Sequence, residues 1–234
     1  MPDDGEDFER VNTEGPSNLL EVAKETGVKT IVHLSTVDVY GFRAGTVDAQ
    51  TATRPSDAYQ RSKVLAEDVL LHFAKKYPQP RVVVIRAARA VGSRDNTLVV
   101  PLLRMIASRR VVLPRGSEMS FSHPKDIAQA MYKAATNGAL PGGIYLVKSF
   151  DATPERIALE LAGSIGAPVD IVKAGILSKP GLSQYTTRQL AASLKVLPQS
   201  SWNAMGYSPA YDLGKTCEEI TSWYKKEPWI TEPA

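Results

Sequence analysis

Apolar residues along the chain change period in step with its turn-forming residues. Leu19, Leu20, Val22 and Ala23 recur at helical spacing after Gly15-Pro16-Ser17, and Gly27 stands where such a helix would stop. Thr30 to Leu34 is then a short run of apolar and β-branched residues, as expected of a strand buried on both faces. After a polar, Gly- and Thr-rich loop from Gly41 to Pro55, Ser56-Asp57 can cap a long helix from about Ala58 to Tyr77, which Pro78 ends. Val82-Val83-Val84-Ile85, within Arg81 to Arg86, predicts a second buried strand. Helices are expected over Thr97 to Arg109 and over Pro124 to Asn137, and a third strand over Ile144 to Val147. Thr153-Pro154-Glu155 opens a further helix expected to end near Gly163, because threonine caps, proline suits the first turn and glutamate favours the positive end of the dipole. Two amphipathic segments follow, about Leu182 to Lys195 and Leu213 to Lys226.

This alternation predicts an α/β fold, with a parallel sheet within residues 1–150 and a smaller, mostly helical part over 151–234. Composition agrees with a folded globular chain, since 43% of the 234 residues are apolar and 23% charged. The net charge of +3 is spread without a basic stripe, so nucleic acid is not an expected partner. No apolar run approaches the roughly 18 residues of a membrane span, and the N-terminus is acidic where a signal peptide would be basic. A single cysteine, Cys217, rules out an intrachain disulfide and fits a reducing, cytoplasmic setting. The three histidines are isolated from one another and from paired carboxylates, so no metal site is expected.

Candidate chemistry begins where the first strand ends, at Ser35-Thr36-Val37-Asp38-Val39-Tyr40-Gly41. In doubly wound sheets ligands bind beyond the carboxyl ends of strands, which places Ser35 and Thr36 at a cleft. The next helix carries Tyr59 and Lys63 four positions apart, on one face. A cation beside a phenol favours tyrosinate, so Lys63 is expected to lower the Tyr59 pKa toward a value useful for proton transfer. The Tyr-x-x-x-Lys spacing alone is weak, with about 0.5 such pairs expected by chance in this composition.

In combination these residues resemble the extended short-chain dehydrogenase/reductase family, of the NAD-dependent epimerase/dehydratase type. The resemblance extends from Val11-Asn12 and Asn18 to Ala23, through Pro55 to Lys63 with Ala66-Glu67, to Val84-Ile85-Arg86, Val91-Gly92, Phe121 to Ala128 and Gly206 to Pro209. It implies an incomplete Rossmann-like parallel sheet, with substrate-binding segments near 93–123 interleaved in residues 1–150 and a substrate-binding part over 151–234. It also implies NAD or NADP as cofactor and a secondary alcohol, such as that of a nucleotide sugar, as small-molecule substrate. Tyr59 would be the general acid/base, Lys63 would hold the nicotinamide ribose and Thr36 would bond the reacting oxygen. Asn12 and Ser35 would sit by the cofactor, and Asp38, Arg89 and His123 by the substrate, though His123 and His33 also read as ordinary packed residues.

Three departures qualify the resemblance. No Gly-rich strand-to-helix turn occurs in the first fourteen residues, and Gly163-Ser164-Ile165-Gly166 ends a helix instead of opening one. Val37-Asp38 replaces the Asp-Glu pair of dehydratases. Met119 stands where a diphosphate-binding base is common in nucleotide-sugar enzymes. Weak dinucleotide binding is therefore expected, with the edge of the first strand left unpaired, so that the chain self-associates, as in a homodimer, or is marginally stable. A non-catalytic, truncated or degenerate relative acting as a binding or regulatory module is the alternative function.

Overall fold

The computed structural model describes residue 8, residues 10–174 and residues 181–226. A π-helical turn, Arg10–Glu14, leads into α1 (Gly15–Glu25), and Gly27 takes a positive φ of 71° as the chain leaves it. The central sheet is built from β1 (Thr30–Thr36), β3 (Arg81–Ala87) and β7 (Gly143–Val147), in the order β1-β3-β7 and all parallel. Thr36 lies opposite Ala87, and Ala87 opposite Val147, so all three strands end at one level.

The unbroken apolar run in β3 follows from burial of both its faces. Val82 and Val84 pack with Leu20 of α1 and with Leu70 and Phe73 of α2 (Ala58–Lys76). Val83 and Ile85 pack with Ala130 and Ala134 of α4 (Pro124–Thr136) on the other face. Each such side chain contributes roughly 1.5–3 kcal/mol by leaving water. Strand β1 is less covered, with Leu34 40% exposed. Among the described residues it pairs with β3 alone, so its outer edge is open.

The remaining strands are short and were not legible in the sequence. They are β2 (Gly45–Val47), β4 (Arg89–Ala90), β5 (Arg110–Pro114), β6 (Met119–Ser122), β8 (Phe150–Ala152), β9 (Asp170–Ala174) and β10 (Leu194–Val196). Strands β5 and β9 pair in parallel, as do β2 and β10, while β6 lies between parallel β4 and antiparallel β8. The part after residue 150 is thus stitched strand by strand to the part before it. The largest core cluster spans both, joining α3 (Val99–Ala107), α5 (Pro154–Ile165) and α8 (Leu213–Tyr224) around Val111, Leu113 and Phe121.

Two expected helices are shorter than their patterns. The segment from Thr97 becomes α3 and then turns at Arg109, φ 58°, into β5. The segment from Leu182 becomes α6 (Gln184–Ala192) and turns at Ser193, φ 57°, into β10. In both places pairing with a distant strand overrides local helical preference. Between β10 and α8 a short helix, α7 (Gln199–Met205), seats Ser201 so that its hydroxyl accepts from the Leu146 amide of β7. No described helix is long and apolar enough to cross a membrane.

Candidate active site

Beyond the carboxyl ends of β1 and β3 lies a cleft of about 990 Å³. Thr36, Tyr59 and Lys63 all line it, together with Ser35, Asp38 and Arg89. Thr36 is the last residue of β1 and its Oγ1 accepts from the Asp38 amide at 3.1 Å, capping a tight 3-10 turn over Val37–Tyr40. That bond uses the oxygen as acceptor, which leaves the hydroxyl proton free for the cleft.

Helix α2 brings in Tyr59 and Lys63. Its N-cap is Asp57, whose carboxylate accepts from the Gln60 amide at 2.9 Å, so Tyr59 sits in the first turn. The Lys63 ammonium donates to the Leu34 carbonyl of β1 at 2.9 Å, pinning the helix to the strand end. Among the described residues the Tyr59 hydroxyl has no hydrogen-bond partner, while its ring meets Phe8 and Tyr185 edge-on, with centroids 5.7 and 5.9 Å away.

The expected effect of Lys63 on Tyr59 is not seen. Burial pushes the Tyr59 phenol up to about 12, and the carboxylates of Asp38 and Asp57 push the same way. Lys63 itself is lowered by burial, against the pull of Glu67. An i,i+4 spacing ensures a shared face but does not ensure that charge outweighs desolvation. The Tyr59 phenol is therefore protonated at neutral pH.

Two buried polar networks flank these residues. In the first, the Ser35 hydroxyl donates to Glu67, whose carboxylate also receives the Arg86 guanidinium, with Nη2 at 2.5 Å and Nε at 3.1 Å from both oxygens. Arg86 reaches the Tyr40 hydroxyl at 2.8 Å, and Tyr40 donates to the Asp48 carbonyl at 2.7 Å. Ser35 therefore lines the cleft with its hydroxyl already engaged. In the second, Asp38 accepts from Tyr185 at 2.6 Å and from Gln189 at 2.8 Å, and Gln189 accepts in turn from Arg89. Burial raises the Asp38 pKa, while the bonds from Tyr185 and Gln189 and the charge of Arg89 oppose it.

Other expected residues lie differently. Arg89 donates to Gln189 and, at 2.8 Å, to Thr97, so it braces the wall. His123 is 1% exposed and is not among the cleft-lining residues. Its Nδ1 caps α4 by accepting from the Lys125 amide, its ring stacks on Tyr211 at 3.7 Å and burial lowers its pKa. Asn12 is also off the cleft wall and donates to Ser62, which donates to the Tyr59 carbonyl, so it ties the π-helical turn to α2. Met119 is core, 3% exposed in β6, and is not among the cleft-lining residues. Cys217 is buried, its thiol pushed up to about 12. No cluster of ligands suited to a metal ion occurs among the described residues. Tyr185, Arg188 and Gln189 went unread in the sequence, since only the packing of α6 against the cleft gives their spacing meaning.

Comparison with known proteins agrees with this architecture. The sequence profile of the NAD dependent epimerase/dehydratase family matches residues 2–147, and the chain belongs to that family. An Escherichia coli O157:H7 relative, N-acetyl-alpha-D-glucosaminyl-diphospho-ditrans,octacis-undecaprenol 4-epimerase, is 34% identical over 104 residues, 44% of this chain and 31% of that enzyme. The decarboxylating sterol-4-alpha-carboxylate 3-dehydrogenase of Saccharomyces cerevisiae is 24% identical over 92% of this chain and 71% of its own length. Among solved structures, Bordetella bronchiseptica WbmG in complex with NAD and UDP superposes with a TM-score of 0.77 at 20% identity, over 97% of this chain and 69% of that one. The chain thus spans less than a third of the epimerase relative's length, and the structural likeness concerns the fold.

Proposed function

We propose that the protein is an NAD(P)-dependent oxidoreductase or epimerase acting on a secondary alcohol of a nucleotide sugar, with Tyr59 as its general acid/base. The observation that carries this reading is the convergence of Thr36, Tyr59 and Lys63 on one cleft at the carboxyl end of a parallel sheet. A nicotinamide cofactor, when bound, accepts or delivers hydride at the substrate carbon. The residues present fit its ribose end, because Lys63 offers a cation on the cleft wall beside an unpartnered phenol. For the pyrophosphate, the described residues offer no Gly-rich strand-to-helix turn on that wall.

Each side chain then has a defined task. Thr36 turns its free O–H toward the substrate oxygen and fixes it. Tyr59, protonated at neutral pH, donates a proton to that oxygen when a carbonyl is reduced, and recovers it in the reverse direction. Lys63 is held at the floor of the site by the Leu34 carbonyl, and its remaining ammonium protons would hold a ribose hydroxyl of the cofactor. Asp38 is held by Tyr185 and Gln189 on the facing wall.

The test is direct. Nicotinamide fluorescence on titrating NADH and NADPH, followed by product analysis with UDP-sugars and each oxidised cofactor, is expected to show saturable binding and turnover lost in Tyr59→Phe. Binding of a UDP-sugar without turnover under any cofactor would favour a non-catalytic binding module instead.

A further inference from the structure

We propose that Tyr185 is a specificity-determining residue, presenting the cleft with a hydrogen-bond acceptor that selects a substrate hydroxyl beside the reacting one. The inference rests on the nucleotide-sugar reading above and adds which oxygens of that substrate the site can tolerate.

The argument is one of hydrogen-bond polarity. A guanidinium only donates, so the Gln189 oxygen must be the atom facing Arg89. The amide orientation is thereby fixed, and the Gln189 nitrogen faces Asp38, 2.8 Å from each carboxylate oxygen. With Asp38 as the carboxylate that the bonds from Tyr185 and Gln189 and the charge of Arg89 favour, both of its oxygens accept. The Tyr185 phenol, 2.6 Å from Oδ2, must give its proton to that carboxylate. What Tyr185 has left for the cleft is lone-pair capacity alone.

Thr36 differs in polarity, since its oxygen accepts from the Asp38 amide and its proton is not given to any described residue, so it can donate to the cleft. Asp38 thus touches both walls: its backbone orients the Thr36 hydroxyl, whose proton stays available, and its side chain takes the Tyr185 proton. The Tyr185 ring stands edge-on to Tyr59, 5.9 Å away, so both hydroxyl-bearing rings serve one volume. A substrate suits this pair if it brings an acceptor oxygen to Thr36 and a second hydroxyl to Tyr185. An ether, fluorine or carboxylate in the second position would meet another acceptor. Arg89 and Gln189 are positioning residues, acting through Asp38.

Isothermal titration of UDP-glucose and its deoxyfluoro analogues, each with one hydroxyl replaced by fluorine, tests this. Fluorine is close in size to hydroxyl but cannot donate. Wild-type protein is expected to lose roughly tenfold in affinity at one fluorine position, which Tyr185→Phe no longer distinguishes and Thr36→Val still does. Asp38→Ala should also remove that penalty, because a phenol released from the carboxylate can turn its own proton to the cleft; it keeps the test decisive if Tyr185→Phe does not fold. A penalty that persists in both variants, or wild-type binding that no fluorine weakens, overturns this inference alone. Failure of UDP-glucose itself to bind wild-type protein overturns the nucleotide-sugar reading and this one with it.

Discussion

Glu67 and Arg86 close a buried ion pair at 2.5 Å directly behind the strand end that carries Ser35 and Thr36. Their side chains are 2% and 5% exposed, so neither charge has water to fall back on. Removing one partner strands the other, which costs about 3–5 kcal/mol. Glu67→Ala is therefore expected to lower the urea midpoint sharply. The double variant Glu67→Met with Arg86→Met should recover most of that loss, because no orphan charge remains. A double variant no more stable than the single one would contradict this account.

Below neutrality, stability should fall in a window set by His33. Burial, helped by the Lys63 charge, lowers its pKa to about 4, while the unfolded chain titrates near 6.5. Between those values the unfolded state binds the proton and the folded state does not, so stability decreases as pH falls from 6.5 to 4 and this contribution is then exhausted. The loss is about 3 kcal/mol, and this contribution should be absent from the urea midpoints of His33→Asn measured over the same range.

Tyr59→Phe should separate chemistry from folding. The hydroxyl has no partner among the described residues, so its removal leaves no orphaned group and should change stability by less than about 0.5 kcal/mol. Turnover, by contrast, should fall roughly 10²–10⁴-fold, the range for losing a general acid. A large drop in melting temperature would instead mean that the phenol is structural.

Gly41, which ends the tight turn after Thr36, should not tolerate a side chain. Its φ is 79°, and a Cβ there would stand 2.2 Å from the Arg54 carbonyl oxygen. The neighbouring backbone cannot yield freely, because the Arg54 amide is bonded to the Val39 carbonyl at 2.9 Å. Gly41→Ala is expected to destabilise by roughly 2–3 kcal/mol in urea unfolding, from combined backbone strain and overpacking.

By itself the sequence determined the elements whose signal is local. Val82 to Ile85 read as a strand covered on both faces, Ser56-Asp57 and Thr153 as helix caps, and Tyr59 and Lys63 as sharing a helix face, and the structure has β3, the Asp57 and Thr153 caps and α2 there. Strand-end placement of Thr36 followed from the same local logic. Tertiary structure alone decided the rest. Strands of two to five residues such as β4 and β10 exist because distant partners complete their hydrogen bonds, and no period can be read in so few positions. Asp38 acquires Tyr185 and Gln189 from about 150 positions away, Arg89 lines the cleft while bonding Gln189 and Thr97, and His123 is stacked on Tyr211. Proton affinity belongs to the same class: spacing set Lys63 near Tyr59, but the depth of burial set the direction in which that phenol moved, because desolvation is a property of everything packed around a group.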